Sequence, residues 1–69
     1  MYKIGDKLEV ATVMLTMDIP WETKIMTLTN IIYSVNIYYC FDGNDNHQYP
    51  IGRIIRKIEE EIIIWKENL

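Results

Sequence analysis

Between Ser34 and Phe41 the side chains alternate with a period of two: Val35, Ile37, Tyr39 and Phe41 share one side, and Ser34, Asn36, Tyr38 and Cys40 the other. Asp42 and Gly43 follow at once. This pairing constrains the chain more than any other feature. A period of two places successive side chains on opposite faces of an extended strand. Asp-Gly supplies the positive φ that a two-residue reversal requires. The segment therefore predicts a hairpin, with turn formers from Asp42 to Asn46 and a return strand through His47 to Tyr49. Such a hairpin commits the sheet to antiparallel pairing.

Whatever completes that sheet must do so within 69 residues. A chain of this size holds one domain, here 1–69, and buries only about 60% of the surface exposed by its unfolded state. Small domains usually gain support from disulfides, a metal or a partner subunit. Cys40 is the only cysteine, which rules out an internal disulfide and suits a reducing, cytoplasmic compartment. With His47 it offers at most two of the four ligands of a structural zinc. No cofactor or metal is expected. Association with another protein, or with further copies of the chain, is the support that remains.

Upstream, Lys3 to Lys7 reads as a turn, with Gly5 free to take positive φ and Asp6 able to bond nearby amides. A strand is expected from Leu8 to Met17, rich in β-branched residues. Asp18-Ile19-Pro20-Trp21 breaks it, because Pro20 has no N–H to donate and restricts Ile19. From Thr23 to Ile32 a second strand alternates Thr23, Ile25, Thr27, Thr29 and Ile31 against Lys24, Met26 and Leu28, with a bend at Asn30 or over Ser34 to Asn36.

The last third supports two readings. Ile51, Ile54, Ile55, Ile58, Ile62 and Trp65 fall at helical spacing behind Pro50, which favours an amphipathic helix. Ile51, Ile55, Ile58, Ile62, Trp65 and Leu69 also follow the steps of a short coiled-coil seam. The β-branched content of Ile54 to Ile58 and Ile62 to Trp65 suits two strands after a short helical turn near Pro50 to Gly52. The expected class is thus mainly β, an antiparallel meander or small barrel, with an α+β alternative in which a C-terminal helix covers the sheet.

Lys3-Ile4-Gly5-Asp6-Lys7, Thr27 to Ile31, Tyr39 to Gly43, and Tyr49-Pro50 leading into Ile54 to Ile58 resemble the strand order of small SH3-like barrels found in phage accessory proteins. The likeness spans most of residues 3–58 and stops before the stretch from Glu59 to Leu69. It implies a barrel architecture and carries over no functional residue, because fold does not fix function. Abundant Ile, Lys, Asn and Tyr, all with A/T-rich codons, point in the same direction, to a low-GC host and its phages or mobile elements.

A net charge of -3 and a pI near 4.9 disfavour duplex nucleic acid, whose phosphates call for clustered Lys and Arg. The densest acidic run, Glu59 to Glu61, reads as a solvated surface. The longest uninterrupted run of Ile, Leu, Val, Met, Phe and Trp is four residues, Ile62 to Trp65, so no membrane span is expected.

Residues able to perform covalent or acid–base chemistry are few. Cys40 and His47 could be paired as thiolate and base, but more often a lone cysteine is a packing residue. Asp42, Asn44 and Asn46 match the start of a calcium loop. His47 then stands where glycine is needed and Arg53 where a bidentate glutamate is needed. Isolated glycines make no phosphate loop. The expectation is therefore a non-enzymatic protein.

Rings are plentiful, and Trp, Tyr and Arg are the residues that anchor interfaces. The candidate binding residues are Trp21, Tyr38, Tyr49, Arg53 and Trp65, Trp21 foremost because Pro20 places it at a connection. Either tryptophan could equally fill the core. The leading expectation is stoichiometric binding to another protein, for example inhibition of a host defence or nucleic-acid enzyme. A small-ligand reading has Trp21, Tyr38 or Tyr49 stacking on a nucleotide base while Arg53, Arg56 or Lys57 meets phosphate. Single-stranded nucleic acid is third.

Overall fold

The computed structural model describes residues 2–59. Five strands form one antiparallel sheet: β1 (Lys7–Met14), β2 (Pro20–Tyr33), β3 (Ile37–Phe41), β4 (Asn44–Pro50) and β5 (Ile54–Lys57), in the order β4-β3-β2-β1-β5. The fold is mainly β, as expected, with consecutive strands β1 to β4 side by side as a meander. Among the described residues the sheet does not close into a barrel. A 3-10 turn, Ile51–Arg53, carries the chain from β4 on one edge to β5 on the other.

Strand β2 holds the sheet together because it serves two partners in succession. Its first part pairs with β1, from Met14↔Pro20 to Lys7↔Thr27, and its last part with β3, from Leu28↔Phe41 to Tyr33↔Ile37. Between these sections lies a bulge, where Leu28 opposes Phe41 but Asn30 opposes Cys40, leaving Thr29 as the extra residue. An extra residue changes which side chains face inward. Met26 and Leu28 pack into the core before it and Ile31 after it, so the regular alternation expected from Thr23 to Ile32 ends at Thr29. The Thr29 hydroxyl fixes the bulge by accepting from the Gly43 N–H at 2.9 Å and donating to the Cys40 carbonyl at 3.4 Å.

The β3–β4 hairpin forms where the sequence places it. Asp42 and Gly43 take φ of 55° and 79°, and Phe41 faces Asn44 across a two-residue turn. The turn is shorter than the five-residue run of turn formers because β4 already starts at Asn44. The surplus turn formers appear as an irregularity inside β4, between the pairs Phe41↔Asn44 and Tyr39↔Tyr49. Asp42 also bridges to β2: its N–H donates to the Thr27 carbonyl at 2.9 Å, and its carboxylate accepts from the Thr27 N–H at 3.1 Å.

An amphipathic helix or coiled-coil seam over Ile51 to Ile58 is corrected by the structure. Helical geometry lasts only from Ile51 to Arg53, and Ile54 to Lys57 are strand. The reason is competition for backbone partners. β1 offers an open edge to which Leu8↔Lys57 and Val10↔Ile54 pair, and β-branched Ile54 and Ile55 lose less side-chain freedom there than in a helix. The remaining seam positions, Ile62, Trp65 and Leu69, and the predicted strand from Ile62 lie outside the described residues.

The core is small. Leu8, Val10, Leu28, Tyr39, Phe41 and Tyr49 are buried together, with Tyr2, Met26, Ile31, Ile37 and Ile54 packed against them. Rings meet edge to face, Tyr2 on Tyr39 and Phe41 on Tyr49, each pair with centroids 5.9 Å apart. Each fully buried aliphatic side chain contributes about 1.5–3 kcal/mol, so few such residues can be lost from a domain of this size.

Candidate functional site

The far end of the β1–β2 ribbon behaves differently from the rest of the sheet. From Val13 to Glu22 no residue is buried, although the sequence there is largely apolar. Thr16 sets the turn: its hydroxyl accepts from the N–H groups of Asp18 and Ile19 at 3.3 and 3.1 Å. The Leu15 and Thr16 N–H groups in turn donate to the Ile19 carbonyl at 2.9 and 3.2 Å. A hydroxyl that bonds backbone two and three residues ahead is what Ser and Thr do in turns. The turn is thus well bonded, yet Leu15, Met17 and Ile19 point outward, with Met17 95% exposed.

Trp21 lies beside this turn, the second residue of β2, and is 70% exposed. Among the described residues singled out from sequence it alone joins the tip. Leu15, Met17 and Ile19 were not among them, because a strand ending at Met17 and a proline break at Pro20 suggested only a connection. Their signal was apolar residues on either side of Asp18 within a break, where burial is unavailable.

Beneath the tip, Met14, Leu15, Met17, Pro50, Gly52 and Arg53 border a recess of about 460 Å³. The 3-10 turn forms its floor, and Arg53 fixes that floor to the ribbon. Its Nη1 donates to the Ala11 carbonyl at 2.7 Å, and its guanidinium lies 6.0 Å from the centroid of the Tyr49 ring. The structure therefore brings Arg53 and Tyr49 together, but Tyr49 is a core ring between Phe41 and His47. Tyr38 is half-buried on β3, opposite Pro50. Trp65 lies outside the described residues.

The basic side chains suggested for phosphate already have partners. Arg56 Nε donates to Glu9 at 2.8 Å, and Lys57 lies 3.7 Å from Asp6. Glu9 also accepts from the Thr23 hydroxyl at 2.9 Å. That hydrogen bond, followed by the one from Arg56, holds the Glu9 carboxyl below its usual value.

Cys40 is fully buried in β3. Burial pushes its thiol above the ordinary value, with the Asp45 carboxylate adding to the effect, which is the reverse of what a thiolate nucleophile requires. His47 stacks on Tyr49 with centroids 5.3 Å apart. The side-chain oxygens of Asp42 and Asn44 are turned to the N–H groups of Thr27 and Asn46, as hairpin side chains rather than a converging calcium shell. No helix among the described residues is long and apolar enough to cross a membrane.

A second apolar concavity opens where Tyr2, Val35, Ile37, Tyr39, Pro50 and Ile51 come together, with Asn36 and Lys57 also on its wall. Its volume is about 920 Å³. Val35 is wholly exposed and Ile51 is 57% exposed. This groove has few polar groups with which to orient a small molecule.

In comparisons with known proteins the chain matches no family model, no curated protein and no solved structure.

Proposed function

We propose that this chain is a protein-binding domain that acts by stoichiometric capture rather than turnover, and that the β1–β2 tip meets the partner. The observation that carries this reading is the well-bonded turn presenting Leu15, Met17, Ile19 and Trp21 outward, each 53% to 95% exposed. Large apolar side chains exposed together on one turn mark an interaction surface, and a standard interface covers about 800 Å² per partner. Trp and Met are among the residues enriched in interface cores, and Trp21 supplies the broad ring that anchors such surfaces.

The recess under the tip suits an apolar side chain from the partner, so the surface can both insert and receive. A nucleotide-binding role has less support. Arg56 and Lys57 are paired with Glu9 and Asp6, Arg53 is tied to Ala11, and Tyr49 is buried. A stoichiometric inhibitor of a host defence or nucleic-acid enzyme is the biological role that fits a phage or mobile-element origin.

The test uses the immobilised full chain and a Leu15→Asp, Met17→Asp double variant against lysate of the host. We expect the wild type to retain a partner at equimolar yield and the double variant to lose it, with unchanged melting temperature. Equal retention by both proteins, or no equimolar partner at all, would remove the reading.

A further inference from the structure

We propose that the partner met by the β1–β2 tip is held through an extended apolar segment that bears a carboxylate. The segment lies across Pro50 and Gly52, from the recess under the tip to the groove of Val35, Ile37 and Ile51, with its carboxylate on Arg53. This inference rests on the reading of the tip as a protein-binding surface and names the chemistry of what it binds.

The first observation is continuity. Pro50 borders both hollows, Ile51 borders the groove, and Gly52 and Arg53 border the recess. These residues are consecutive, the last of β4 and the whole of the 3-10 turn, so the two hollows adjoin along one short stretch of backbone. Their volumes of about 920 and 460 Å³ both exceed the about 300 Å³ at which ligand clefts begin.

The second is Gly52. Gly5 and Gly43 take positive φ, whereas Gly52 does not. A Cβ built on it meets no atom within 4 Å, so a side chain here would project into open space beside the recess. Glycine loses more backbone freedom on folding than any other residue, and close approach of another backbone is one use that offsets the loss. An extended segment turns its side chains to alternate faces and leaves its main chain accessible between them. A helix, sheathed by side chains, comes less near.

The third is charge. The chain has ten acidic residues and seven Lys or Arg, yet among the described residues bordering the two hollows none is acidic, and the charged ones are Arg53 and Lys57. Lys57 is paired with Asp6. Arg53 gives Nη1 to the Ala11 carbonyl, a bond that fixes the guanidinium and leaves most of its N–H donors for another group. A carboxylate matches a guanidinium edge in a bidentate pair. Leu15, Met17, Val35, Ile37 and Ile51 make the rest of the trough suited to apolar side chains on either side of that acid.

Selection from a displayed library of random peptides on the immobilised full-length chain tests the proposal. We expect enriched sequences to combine several apolar residues with an Asp or Glu and to be poor in Lys and Arg. The most enriched peptide, labelled with fluorescein, is then titrated with each variant by fluorescence anisotropy. Gly52→Leu and Val35→Asp should each weaken binding about tenfold or more, with melting temperature unchanged because both positions are exposed. Arg53→Lys should weaken the acidic peptide more than its Asn or Gln counterpart, a coupling that a purely structural loss at Arg53 would not produce. No enrichment, enrichment of basic peptides, undiminished binding to either Gly52→Leu or Val35→Asp, or equal effects of Arg53→Lys on the two peptides would each overturn the proposal. Retention of the host partner by Gly52→Leu, where the Leu15→Asp, Met17→Asp variant loses it, would also overturn it and leave the tip reading standing. Peptide binding as described with no equimolar host partner would count against the tip reading alone.

Discussion

Arg53, in the 3-10 turn, donates from Nη1 to the carbonyl of Ala11 in β1 across 2.7 Å. The bond falls beside the β1 bulge, where Ala11 faces Thr23 but Val13 faces Glu22, leaving Thr12 as the extra residue in the register. A bulge disturbs the regular ladder, and here a side chain from the opposite end of the sequence supplies a donor to the residue before it. The guanidinium also lies near the Tyr49 ring, so one side chain links the ribbon, the turn and the core.

Replacing Arg53 by Ala should therefore cost about 1–3 kcal/mol, the usual loss when a hydrogen bond from a charged donor to a partly buried acceptor is removed. Lys in its place should recover less than half, because an ammonium lacks the planar fork that reaches the carbonyl while lying near the ring. Urea unfolding of the three proteins measures the difference. Equal midpoints would show that the bond contributes nothing.

Leu28 is fully buried at the changeover of β2 from β1 to β3. Leu28→Ala should lose about 2–5 kcal/mol, a large part of the about 5–15 kcal/mol that separates folded from unfolded domains. Leu28→Met, which preserves volume, should lose less than about 1.5 kcal/mol. Thermal or chemical denaturation distinguishes them, and comparable losses in both would mean that the site tolerates a cavity.

The hairpin turn separates backbone from side-chain effects. A methyl group at Gly43 would meet no atom within 4 Å, so Gly43→Ala isolates the cost of a positive φ, about 1–2 kcal/mol for an L-residue. Asp42→Asn should change stability by less than about 0.5 kcal/mol, because asparagine tolerates the same backbone and still accepts from the Thr27 N–H. If Gly43→Ala were neutral, the turn would have to adopt another geometry.

Glu9 provides a pH dependence of definite sign. Its folded-state pKa lies below the ordinary 4.5, chiefly through the Thr23 hydroxyl and then Arg56, so the folded state favours the carboxylate. The corresponding stabilisation is fully present above 4.5, declines as pH falls below that value, and is lost once pH passes below the depressed folded-state pKa. Melting temperature should therefore drop more steeply on acidification in the wild type than in Glu9→Gln. Parallel curves for the two proteins would show that Glu9 is not the linked group.

Much of the sheet was legible because it rests on local rules. The alternation from Val35 to Phe41 and the Asp42-Gly43 turn require no knowledge of the remaining chain, and β3 and its hairpin form accordingly. The Thr29 bulge was hidden, since the sequence shows only a regular period and the extra residue becomes defined only once Asn30 pairs with Cys40 and the Thr29 hydroxyl bonds to Gly43. Ile54 to Lys57 carried helical and strand signals at once. The free edge of β1, a partner more than forty residues earlier, decided between them. At the candidate site Trp21 was visible as a ring beside a proline. The exposure of Leu15, Met17 and Ile19 depends on Thr16 closing the turn away from any packing surface, a relation between hydroxyl and backbone that hydropathy does not register.

The long polar stretch of β4 has a consequence for behaviour at high concentration. Among the described residues β4 is an outermost strand, and unpaired strand margins are templates on which chains stack into fibrils. Asn44 to Gln48 is exposed throughout and falls within the irregular part of the pairing with β3, and Pro50 ends the strand with no N–H to offer. A neighbouring molecule would find there neither an apolar strip nor an even row of donors, so this flank should resist aggregation while the tip remains free to bind.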